Sequence, residues 1–139
     1  MKTMVATILG CVLIGAVHAA DSVVTPEMQA ALDAQKKVIT AWAADPVLVA
    51  AVKAQNEKGP ILGMDNAAWK ATEHSNPLVQ TFQKNTAGVW LTKKLKASNG
   101  LFTEAFLSAA KGEKVAFVEK TTSYIHSGSA KFDVPMSGK

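Results

Sequence analysis

Three dipeptides punctuate this chain: Thr25-Pro26, Asp45-Pro46 and Asn76-Pro77. Each joins a side chain that can accept a hydrogen bond from the free amides of a helix start to a proline. The proline's fixed φ and missing N–H suit the first helical position. Three helix starts are thereby marked, and Pro46 also ends whatever helix precedes it. From Pro26 the apolar residues Met28, Leu32, Ile39 and Trp42, with Val38 beside them, recur on one face, while Asp33, Lys36 and Lys37 lie on the other. This spacing predicts an amphipathic helix with its apolar stripe turned inward. A second helix restarts in "PVLVAAVKAQNEKG" and stops at Gly59. Asp65 is expected to cap a short helix that carries Trp69 inward. "PLVQTFQKNTAGVWLTKKLKASNG" places Leu78, Phe82, Val89 and Leu95 at roughly helical spacing, weakened at Thr86 and Gly88 and ended by Asn99-Gly100.

The period then changes. In "LFTEAFLSA" and "KVAFVEK" the apolar residues crowd together and are aromatic or β-branched, with Lys111-Gly112 between the two runs, which predicts an antiparallel hairpin. Two strands alone are marginal in water, so the hairpin needs helices on it or further strands beside it. The fold class is therefore α+β, with N-terminal helices packed on a small antiparallel sheet.

The first 19 residues carry Lys2, an uncharged run from Thr3 to Val17 and a small-residue cut after Ala19, the pattern of a secretory signal peptide. An uncleaved anchor is disfavoured because the run is shorter than the ~20 residues a spanning helix needs. Acylation at Cys11, suggested by "ILGC", would leave too short a hydrophobic run before the cut. Removal of 19 residues from 139 leaves 120, one domain's worth (20-139), without the single cysteine. All 15 basic residues are lysines, and Lys2 leaves with the leader, so 14 lysines face 11 acids. The absence of arginine argues against nucleic acid as a partner. There is no G-x-S-x-G, phosphate-cradling glycine loop, H-E-x-x-H or C-x-x-C-H, so no enzyme chemistry is signalled. A meeting of Glu104 with Asp133 is the one carboxylate pair left open. His74 and His126 lack neighbouring carboxylates at ligand spacing, so neither a metal nor another cofactor is expected.

The order "W…DP.LV.AVKAQN", "MD..W", "NPL", "KG..VAF", "KT.SY" and "H.G..K…VPM.GK" resembles the Cache or PDC family of PAS-like periplasmic sensor domains, from about Val38 to Lys139. The resemblance implies helices in front of a central antiparallel sheet, with ligand held between the sheet and its covering loops. It also implies further strands beyond Lys139, so the sheet is expected to be incomplete. Where many relatives carry an aspartate, this chain has Ala109 or Ala110, and where they have "TSDYW" it has "TTSYI", with Ser123 and Ile125 in place of aspartate and tryptophan. An ammonium-binding role for that aspartate is lost. Tyr124, His126 and Lys131 fall in the pocket-lining segment, with Lys120 and Thr121 at the strand exit, and lysine with protonated histidine suits a small carboxylate. The alternative is that these are ordinary polar residues of an exposed loop. Trp42, Trp69 and Trp90 are expected in the core rather than as a stacking platform. The expectation is a non-catalytic periplasmic or secreted module that senses a small organic anion and signals through a membrane receptor or self-association. The rivals are an interaction protein that pairs through an exposed sheet edge, and a non-functional fragment of a longer sensor.

Overall fold

A computed structural model describes residues 24–138. The leader reading over residues 1–19, with Cys11, lies outside the described residues. The fold is α+β: helices α1 (Pro26–Ala43), α2 (Pro46–Lys58), α3 (Asn66–Ala71), α4 (Pro77–Lys84) and α5 (Thr86–Ala97) precede strands β1 (Phe106–Ser108) and β2 (Lys114–Phe117), and α6 (Ala130–Met136) follows.

The cap-and-proline reading holds at each of its three positions. Thr25 Oγ1 accepts from the Met28 amide at 3.2 Å, Asp45 Oδ1 from Val47 at 2.9 Å and Asn76 Oδ1 from Leu78 at 2.9 Å. Asp65 Oδ1 caps α3 through the Ala68 amide at 2.7 Å. At Asp45-Pro46 the chain bends by 62° between α1 and α2. No single described helix is long and apolar enough to cross a membrane.

Three expectations change. The run from Pro77 is two helices, because Asn85 leaves helical geometry (φ −65°, ψ 166°) and its side chain caps α5 through the Gly88 amide. That break rotates Val89 outward, to 57% exposure. The stripe of α1 is not inward: Met28, Leu32 and Ile39 are each about half exposed, and only Trp42 near its C-terminal end packs, against Trp90 and Phe102. The tail, read as a loop, contains α6, whose first turn is held by Asp133 Oδ1 accepting from the Gly128 amide at 3.1 Å.

The strands are shorter than the apolar runs that signalled them, and β2 is buried on both faces. Alternation puts Phe117 on one side, with Trp69, Val79, Phe82 and Tyr124, and Ala116 on the other, with Leu48, Ala87 and Leu91. Trp69 is fully buried, with ring centroids 5.8 Å from Phe82, 5.8 Å from Phe117 and 5.6 Å from Tyr124. Each such aromatic pair adds roughly 0.5–1.5 kcal/mol beyond area burial. The register runs Phe106↔Phe117, Leu107↔Ala116 and then Ser108↔Lys114, so Val115 is an extra residue in β2, a bulge. Past the bulge the alternation is reset, and Lys114 comes to the side of Ser108 and Phe106. A third segment joins through an isolated antiparallel bridge, Glu113↔Ile125.

Candidate functional site

The bulge places a lysine where a side chain of its kind is rarely found. Lys114 is fully buried, its ammonium has no hydrogen-bond partner, and Nζ lies 3.1 Å from the centre of the Phe106 ring. The ring's negative face offsets part of the lost hydration. The His126 ring stacks on the same phenyl group at 5.0 Å and 13°, and its Nε2 is a second buried atom without a partner.

Backbone contacts fix this arrangement. The Lys114 amide donates to Tyr124 O at 3.0 Å and the His126 amide to Gly112 O at 2.8 Å, so the segment from Tyr124 to His126 runs along β2. Gly112 is required for this close passage. Its φ is +84°, and a Cβ there would sit 2.4 Å from the Ser127 amide nitrogen. Asn66 clamps the segment from the other side, its Oδ1 accepting from the Tyr124 and Ile125 amides at 2.8 Å each and its Nδ2 donating to Ile125 O at 2.9 Å.

The electrostatics follow from burial. Desolvation pushes Lys114 from the usual 10.5 down to about 7, opposed by the carboxylate of Glu104 and assisted by the charge of Lys131. His126 is pushed from 6.5 down to about 4, by burial first and then by the charges of Lys114 and Lys131. Glu113, next along β2, is also fully buried, with both carboxylate oxygens unpartnered.

Beside this cluster lies a cavity of about 330 Å³. Its wall is apolar, built from Ile39, Trp42, Leu48, Leu91 and Phe102 with Phe106, and Glu104 is its one charged lining residue. Phe106, 38% exposed, belongs both to this wall and to the Lys114–His126 cluster.

The five residues singled out in the sequence divide into two groups. His126 shares the Phe106 ring with Lys114, and the exposed Lys131 acts on both through its charge. Tyr124, Thr121 and Lys120 belong to the aromatic core around Trp69 instead. Tyr124 is fully buried, its hydroxyl accepts from the Ile61 amide at 3.0 Å, and burial raises the phenol above its usual range. Thr121 O accepts from Trp69 Nε1 at 2.8 Å, Thr121 Oγ1 donates to Ser123 O at 2.8 Å, and Lys120 Nζ lies 4.8 Å over the Trp69 ring. Trp69 is core, as expected, while Trp42 and Trp90 are half-buried and Trp42 lines the cavity. Sequence reasoning missed Lys114, Glu113 and Phe106. Adjacent charges beside a Lys-Gly turn look like solvated turn residues, and the bulge that buries them has no signature in composition. Among the described residues no three His, Cys, Asp or Glu side chains are grouped to hold a metal ion. No family model, curated protein or solved structure matches the chain.

Proposed function

We propose that this protein is a non-catalytic module that binds a small organic anion, exported to the periplasm or secreted by its leader-like first 19 residues, and that it is a Cache-like sensor domain. The reading is carried by one observation: the Lys114 ammonium is buried against the Phe106 ring with no hydrogen-bond partner, His126 with its own unpartnered Nε2 stacks on the same ring, and Lys131 adds a second positive charge that acts on both. A buried ammonium without a hydrogen-bonded partner costs several kcal/mol. A carboxylate beside it would offset that penalty, which is a driving force for binding that a neutral ligand lacks. The order of motifs from Val38 to Lys139 supports the sensor assignment, and occupancy would pass to a membrane receptor or to another copy of the chain.

The test is thermal unfolding of the purified protein with a panel of small carboxylates against chloride at equal ionic strength. Ligand that binds only the native state raises the midpoint saturably, by the equivalent of about 2.7 kcal/mol at a hundredfold excess over Kd. A panel with no saturable rise beyond the chloride control sinks the proposal.

An interaction protein is the second reading, favoured by the free outer edge of β1 among the described residues and by the exposed stripe Met28, Leu32 and Ile39 on α1. Sedimentation over a range of protein concentrations separates the two, since self-association without any carboxylate response belongs to this reading alone.

A further inference from the structure

Helix α1 is poorly covered by its own chain. It contains no buried residue, and every position from Val24 to Ala34 is exposed. A helical stretch this short is marginal in water and takes most of its stability from packing its apolar face. We infer that this face is covered by α1 of a second copy of the chain, running antiparallel in a two-fold symmetric homodimer, with Val24 and Met28 of each copy seated at the mouth of the other's apolar cavity. Such a dimer does not depend on anion binding, and either can fail without the other.

The spacing of the stripe selects a helix as the occupant. Met28, Leu32, Gln35, Ile39 and Trp42 follow one another at alternating intervals of four and three residues. That is the repeat of a coiled-coil seam, which packs against a helix of the same period. A seam this short is weak on its own, so the pairing needs further apolar burial at its ends.

Charge selects a copy of the same helix and its direction. Glu27 and Asp33 lie in the first half of α1, Lys36 and Lys37 in the second. Antiparallel self-pairing sets acidic half against basic half and the two macrodipoles head to tail. On the flank of the seam Lys36 then comes beside Asp33 of the second copy. Parallel pairing would put Lys36 opposite Ala31 and Val38, which carry no charge. Within one copy Lys36 Nζ lies 3.3 Å from Asp33 Oδ1, but both side chains are exposed, and so weak a pair exchanges readily across the axis.

Shape supplies the missing burial. The antiparallel seam pairs Met28 with Ile39 of the second copy and Leu32 with its Gln35, which brings Val24 beside its Ala43. Ile39, Trp42 and Ala43 also line the 330 Å³ cavity, together with Leu48 and Phe102. The uncovered end of one α1 thus meets the apolar hollow at the covered end of the other, and the two-fold axis makes the contact twice and closes the assembly.

The experiment is sedimentation equilibrium of the purified protein over a wide range of concentration, with disulfide trapping to read direction. The expected species are monomer and dimer only. In Met28→Gln with Leu32→Gln, which keeps helix propensity and net charge, the dimer dissociation constant rises at least about tenfold. For trapping, Cys11 is replaced by serine and single cysteines are placed by Met28→Cys and Ile39→Cys. Antiparallel pairing predicts disulfide dimers in a mixture of the two variants and none in either variant alone. A protein that stays monomeric at every concentration overturns the inference and leaves the carboxylate test of the anion site untouched. So does a dimer that the paired glutamines leave unweakened, since another surface then holds it. Disulfide dimers in Met28→Cys alone overturn the antiparallel direction and with it the seating in the cavity. Should the glutamine variant fail to fold, the cysteine variants decide alone.

Discussion

Lys114 makes the folded state sensitive to pH in a direction set by its depressed pKa. Between about 7 and 10.5 the unfolded chain holds a proton on this lysine that the folded chain has released. Stability therefore rises with pH through that window, and the penalty of the buried charge is fully present below about pH 7. Lys114→Met fills the same space without charge. We expect it to stabilise the protein by on the order of 2 kcal/mol at pH 6, well short of the full shift because a small movement of Phe106 lets Nζ reach water. The gain shrinks toward zero by pH 10, as denaturant titrations at pH 6, 8 and 10 would show. A variant less stable than wild type at pH 6 would mean that the ammonium has a partner. His126 acts lower on the scale. Its folded value of about 4 against the usual 6.5 means that stability falls as pH drops from 6.5 to 4, and His126→Asn removes that slope.

At the scale of elements, the junction of α4 and α5 decides where β2 can lie. Asn85 Oδ1 caps α5 through Gly88, and its Nδ2 donates to Val115 O at 2.9 Å, at the bulged residue itself. One side chain thus starts a helix and ties it to the irregularity that aims Lys114. Gly88 has no room for a Cβ, which would stand 2.4 Å from Phe82 O and 2.5 Å from Gln83 O. Gly88→Ala is expected to cost about 1–3 kcal/mol through backbone displacement, and Asn85→Ala about 1–2 kcal/mol through the lost cap and strand bond. Of the two, Asn85→Ala should also weaken carboxylate stabilisation, because it frees Val115; unchanged carboxylate response at reduced stability would detach the bulge from the site. The helix starts were legible because capping is local chemistry, readable from Asp45-Pro46 or Asn76-Pro77 alone. The split at Asn85 was less so, since Leu78, Phe82, Val89 and Leu95 keep a helical period across a break that only tertiary contacts make worthwhile. The bulge at Val115 was not legible at all, because it exists only in the pairing of β2 with β1. For the same reason the sequence singled out His126 and Lys131 but passed over Lys114, which shares the Phe106 ring with His126.

Across the whole molecule, two apolar clusters clasp one short strand, and Glu113 and Lys114 bring buried charge to its start. Trp69, Phe82, Phe117 and Tyr124 form the firmer side, while the side of Leu48 and Leu91 opens into the cavity next to Phe106. The Trp69 cluster is the part of the core on which the fold most depends, with Trp69 and Phe117 fully buried in it. Trp69→Ala should accordingly cost about 3–5 kcal/mol, consistent with loss of a large buried aromatic. Anion binding at this site depends on Lys114 being a buried ammonium without a hydrogen-bond partner. The direct measurement is an NMR pH titration of the Lys114 side chain, isotopically labelled and assigned by comparison with Lys114→Arg, in the absence and presence of saturating propionate at constant ionic strength. Propionate, a simple carboxylate, isolates the charge interaction. The expected midpoint lies near 7 in the free protein and rises by at least one unit with propionate bound, as an opposing charge favours the protonated form. A Lys114 that titrates near 10.5 with the surface lysines, or whose midpoint propionate leaves unmoved, would contradict it.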